Sequence, residues 1–118
     1  RLALPALPRF SFHDSGIPKR TKESVAAVAA TQRADLDRRM GDATQSAVEG
    51  LQAYAHGRKR VGLDAVALAM TEGMLCFEEW GLVPTPVRDL ADRLLSEGAL
   101  AVKLTGAGGG GYLVALWN

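Results

Sequence analysis

Ala99-Leu100-Ala101-Val102-Lys103-Leu104-Thr105-Gly106-Ala107-Gly108-Gly109-Gly110-Gly111-Tyr112-Leu113-Val114-Ala115-Leu116-Trp117 sets a glycine loop between two short apolar runs. The flanking runs have the length and composition of buried strands. Glycine permits φ > 0 and lets a ligand approach bare backbone. Successive N–H groups in such a loop can converge on one anion. A flexible linker is the alternative for a glycine-rich segment. Gly106, Gly108 and Gly111 also fit G-x-G-x-x-G, but a dinucleotide fingerprint needs a helix next, and Tyr112 to Trp117 reads as a strand. No Gly-Lys-Ser/Thr closes the run, which excludes a Walker loop. The Val-Ala-Ile-Lys strand that follows a protein-kinase glycine loop is missing as well. What remains is a strand, glycine loop, strand unit facing phosphate or another anion.

Outward from this unit, the chain is helical. Val87, Leu90, Ala91, Leu94 and Leu95 make one apolar face, with Thr85 as cap, Pro86 at the first helical position and Gly98 as stop. Leu63, Val66, Met70, Met74 and Phe77 form a stripe over a helix from about Val61 to Trp80. Cys76 beside that stripe reads as a small buried hydrophobe, since nothing in the sequence sets a base near it. Leu36, Met40, Ala43, Ala47, Leu51 and Tyr54 space a further helix over about Asp35 to Ala55, which Gly41 and Gly50 weaken. His56 to Arg60 reads as a solvated basic turn.

Near the start, Phe10 and Phe12 alternate in a short strand, and Asp14-Ser15-Gly16-Ile17-Pro18 is turn chemistry. Lys19, Arg20 and Lys22 then crowd the start of an alanine-rich helix, with Thr21 as cap and Glu23 in the first turn. A helix N-terminus favours anions, so cations gathered there point to a bound anion or to a solvated basic cluster.

Two of these stretches carry a family resemblance. Lys103-Leu104-Thr105-Gly106-Ala107-Gly108-Gly109-Gly110-Gly111 resembles the third motif of the GHMP kinases, most closely its mevalonate kinase branch, which usually continues with cysteine where Tyr112 stands. Asp14 to Ala26 resembles the segment of that branch in which a strand ends in Asp-Ser/Thr-Gly and a basic pair and Thr-Lys lead into a helix. Gly73 and Met74 stand where the branch typically has asparagine followed by Gln or His, which leaves the substrate open.

The resemblance implies the C-terminal domain of such a kinase: an α+β, ferredoxin-like fold with an antiparallel sheet and helices packed on one face. Residues 1–8 would be an extended lead-in and 9–118 the domain. The implied reaction moves the ATP γ-phosphoryl group to the hydroxyl of mevalonate. A kinase for phosphomevalonate or a sugar, or a non-catalytic ligand-binding module, are the alternatives. Lys19 and Thr21 would bind substrate; Gly106, Ala107, Gly108, Gly109, Gly110 and Gly111 would lie at the phosphate end of ATP. No catalytic residue and no metal ligand is assigned within the chain. The principal ATP loop and the Mg²⁺ ligands are expected in an N-terminal partner domain, so the chain alone is expected to be inactive. An apolar face left by that partner predicts self-association, a homodimer among its forms.

The 118 residues carry net charge +1 and one cysteine, so no internal disulfide forms. This balance points to neither nucleic acid nor membrane as partner and fits a reducing, cytoplasmic compartment. The chain does not begin with methionine, and a piece of a longer protein is expected.

Overall fold

The computed structural model describes residues 6–16, 21–105 and 111–118, and of residues 21, 22 and 24 the backbone. Strand β1 is Arg9–Asp14, followed by helices α1 (Thr21–Thr31), α2 (Ala34–Ala55), α3 (Lys59–Glu79) and α4 (Thr85–Ser96), then β2 (Ala101–Leu104) and β3 (Tyr112–Trp117). Four helices thus pack on a three-stranded sheet of order β1-β3-β2, in which both neighbouring pairs are antiparallel. The last strand of the chain lies in the middle. β2 and β3 pair as a hairpin, Leu104 opposite Leu113 and Ala101 opposite Leu116, while β1 returns along the other edge of β3 with Asp14 opposite Tyr112.

Side chains alternate across a strand, and two core clusters divide accordingly. Ala101 and Leu116 meet Leu63, Val66 and Met70 of α3, with Leu51 and Tyr54 of α2 behind them. Val102, Leu104, Leu113 and Ala115 meet Val87, Ala91 and Leu94 of α4, together with Met74 and Phe77 near the end of α3. The α3 stripe read from the sequence is therefore one continuous face that serves both clusters. Cys76 is fully buried. On β1, the Trp117 indole N–H donates to Ser11 Oγ at 2.7 Å, and Ser11 Oγ lies 2.7 Å from His13 Nε2, which ties β1 to β3.

Helices α2, α3 and α4 end alike. The N–H of Arg58, Leu82 and Ala99 reaches back to the carbonyls of Ala53, Phe77 and Leu94, and the preceding glycine, Gly57, Gly81 or Gly98, donates to Tyr54, Glu78 or Leu95. These paired bonds satisfy carbonyls that a helix end leaves open. The helix starts differ from expectation. Pro84, extended at φ −61° and ψ 155°, holds the cap position of α4, and Thr85 is already helical with no side-chain cap bond. Lys59 and Arg60 belong to the first turn of α3 rather than to a loop, although both stay exposed. Among the described residues no helix is long and apolar enough to cross a membrane.

At the crossing of α2 and α3 a Cβ on Gly62 would stand 2.4 Å from the Gly50 carbonyl oxygen and 2.5 Å from the Tyr54 nitrogen. Backbone meets backbone there, so Gly50, a weak point by helix propensity, is the residue that admits α3. Ion pairs fasten the same two helices along their solvent edge. Arg39 bonds Glu72 and Glu79 of α3, each at 2.6 Å, and Arg33 holds Asp35 at 2.8 Å and Glu79 at 3.4 Å. Arg88 of α4 pairs with Glu78 of α3.

Candidate functional site

The two motif stretches are far apart in the chain and meet at one end of the sheet. β1 runs out at Asp14, whose Oδ1 accepts the Gly16 N–H at 2.9 Å, a local turn typical of aspartate. The intervening Ser15 N–H donates to the Gly111 carbonyl at 3.0 Å. Gly111 has φ +83°, where a side chain would be strained. On the other side of the glycine loop, Thr105 donates to the Tyr112 carbonyl through its N–H at 3.0 Å and its Oγ1 at 3.1 Å. Both flanks of the loop are thus pinned, and the turn that leads toward α1 is bonded to one of them.

Of the residues singled out from sequence, Gly111 stands at this junction. Thr21 opens α1 and is itself helical rather than the residue before the helix. Lys19, Gly106, Ala107, Gly108, Gly109 and Gly110 lie outside the described residues.

A pocket of about 370 Å³ lies between α1, α2, the end of α3 and β2. Val25, Val28, Met40, Phe77 and Trp80 give it apolar walls, and Thr44 and Lys103 also line it. Sequence reasoning gave Lys103 no role, because either direction out of its strand was open. Strand alternation decides the direction: Val102 and Leu104 are core, so Lys103 takes the opposite face, toward α3. Its ammonium lies 4.6 Å from the Phe77 ring centre and donates to the Leu104 carbonyl at 3.1 Å. Among the described residues no carboxylate pairs with it. Burial lowers its pKa from the ordinary lysine value.

Cys76 is fully buried, which bears out its reading as a small hydrophobe, and burial pushes its thiol up. A larger groove, about 470 Å³ along α2 and α3, is lined by none of the motif residues, and its Arg39 is already held by Glu72 and Glu79. Among the described residues no group of three His, Cys, Asp or Glu side chains can hold a metal. The site thus offers, among the described residues, a hydrogen-bonded loop junction and a half-buried lysine on an apolar pocket.

Comparison with known proteins places this arrangement. The fold matches the crystal structure of L. major mevalonate kinase in complex with R-mevalonate at TM-score 0.68 and 20% identity, covering 95% of this chain and 35% of that one. It matches a Lin0012 protein from Listeria innocua at TM-score 0.67 and 20% identity, covering 98% of this chain and 34% of that one. The chain therefore spans about a third of the length of either structure. No curated protein matches the chain in sequence. The family model described as GHMP kinases C terminal matches residues 60–118, half of the chain. With the fold and the family model in agreement, the chain belongs to the GHMP kinases, through their C-terminal domain.

Proposed function

We propose that this chain is the acceptor-side domain of an ATP-dependent kinase that phosphorylates the hydroxyl of mevalonate. The observation that carries the reading is the Ser15 to Gly111 hydrogen bond, which joins the two stretches whose residues resemble the mevalonate kinase branch. Phosphoryl transfer is mainly positioning and charge neutralisation, for which backbone donors and cations are suited. In this reading Lys19 meets an anionic group, Thr21 bonds the substrate, and Gly106 to Gly111 border the ATP phosphates. ATP is the donor. Mg²⁺ and the principal ATP loop belong to an N-terminal partner domain, and no step is assigned to the metal within this chain. The likeness to the L. major enzyme supports the choice of mevalonate as the first acceptor to try.

The test is ADP release by the full-length protein that carries this chain, with ATP, Mg²⁺ and one acceptor at a time. Turnover with mevalonate but not with phosphomevalonate or galactose supports the reading. Turnover with either of the others alone reassigns the substrate within the family. Binding of ATP with no turnover on any acceptor overturns the kinase reading in favour of a ligand-binding module.

A further inference from the structure

Lys103 is a half-buried cation with no carboxylate partner among the described residues, and its only polar contact there is one main-chain carbonyl. Taking an ammonium from water without a counter-ion is costly. A face-on contact with Phe77 offsets part of that cost. Room for the side chain comes from Gly73: a Cβ there would stand 2.6 Å from Lys103 Cε and 3.2 Å from Cδ. The lysine stem therefore lies across a position on α3 where the side chain is absent. A second polar group on the same pocket is also unmatched, because the buried Trp80 indole N–H has no acceptor among the described residues. A cation without a counter-ion and an N–H donor without an acceptor, both on an apolar pocket, ask for a ligand that brings oxygen atoms and one negative charge.

We propose that Lys103 holds the anionic group of the phosphoryl acceptor, with Trp80 as an auxiliary donor and Met40 and Phe77 against the acceptor's hydrocarbon part. This deepens the kinase reading above and rests on it. The chemistry favours the acceptor over ATP. A polyphosphate needs several cations or donors together, whereas a lone ammonium among apolar walls suits a small molecule with one charged end. A carboxylate and a phosphate monoester share that chemistry, and the two are separated by the acceptors used as probes.

The experiment uses the full-length protein and has two readouts. The first is acylation of Lys103 by a small amine-reactive reagent, followed by peptide mass spectrometry, with mevalonate, phosphomevalonate, galactose or Mg²⁺-ATP present. Protection by mevalonate identifies a carboxylate, and protection by phosphomevalonate alone identifies a phosphate; either supports the assignment. Protection by galactose or ATP alone, or by nothing, overturns it. This readout needs no turnover, so it stands apart from failure of the kinase reading. The second readout is steady-state kinetics of Lys103→Met, which keeps the stem and removes the charge. The acceptor KM should rise about tenfold or more, with the KM for ATP unchanged and Lys103→Arg recovering part of the loss. Trp80→Phe should raise the acceptor KM by a smaller factor. An acceptor KM that stays at the wild-type value in Lys103→Met overturns the assignment. If Lys103→Met does not fold, Gly73→Ala takes its place, because the new methyl displaces the lysine stem without removing the charge.

Discussion

Thr21 and the glycines of α2 and α3 can be tested one atom group at a time. Thr21→Ala deletes a hydroxyl at the start of α1 and puts a better helix former in its place, so folding should be unharmed. If Thr21 bonds the substrate, kcat/KM of the full-length protein falls about tenfold or more, and unchanged kinetics remove the assignment. Gly62→Ala is the opposite kind of change. Its methyl would press on the backbone of Gly50 and Tyr54, which no rotamer change relieves. Overpacking of about 1–3 kcal/mol exceeds the roughly 1 kcal/mol gained in helix propensity. The urea midpoint should fall with the slope unchanged. Gly41→Ala is the control on the same helix pair, since a Cβ there meets nothing within 4 Å. It should stabilise by about 0.5–1 kcal/mol. Opposite signs at two glycines of the same helix pair would trace the difference to packing alone.

Between elements, the joint of α2 with α3 is electrostatic at its rim and apolar at its centre. Arg33 holds the Asp35 carboxyl down from its usual 3.8 to about 2. Arg39 and Arg33 hold Glu79 below its usual 4.5. A carboxylate depressed in the folded state adds stability above its unfolded pKa and loses it as pH falls through the folded one. Thermal midpoints should therefore drop on acidification from about pH 4.5 toward pH 2. Glu79→Gln should flatten part of that limb. The groups are exposed, so the effect is modest and shrinks in high salt. A slope in Glu79→Gln equal to the wild-type slope would remove Glu79 from the account. The spacing of Leu36, Met40 and Leu51 was enough to find α2, but the charged rim was not legible. Glu72 and Glu79 are seven residues apart on α3, and only the helix crossing shows that one arginine reaches both.

For the whole molecule, the question is what covers the β1 end of the sheet. Phe12 and Tyr112 share one face by strand register, and they are 67% and 53% exposed. Solvated aromatics on one sheet face fit a surface that meets another domain. The chain alone should self-associate, with sedimentation at rising concentration showing a shift to larger species, and Phe12→Ser should reduce it. A monomeric profile at high concentration removes that expectation. The same purified chain should release no ADP from ATP and mevalonate, and detectable turnover would show that it is sufficient alone. By itself the sequence determined the elements: the glycine loop between two strands, the α3 stripe, the end of α4 at Gly98 and the family. Those features depend on periodicity and on local backbone chemistry, which neighbours along the chain carry. Tertiary structure alone decided that β3 lies in the middle and that Ser15 reaches Gly111. Only there do Gly50 and Gly62 become a contact and Lys103 a half-buried cation. Each of these depends on which surfaces meet across a long stretch of chain, and a strand residue's environment is set by what covers its face rather than by its neighbours in sequence.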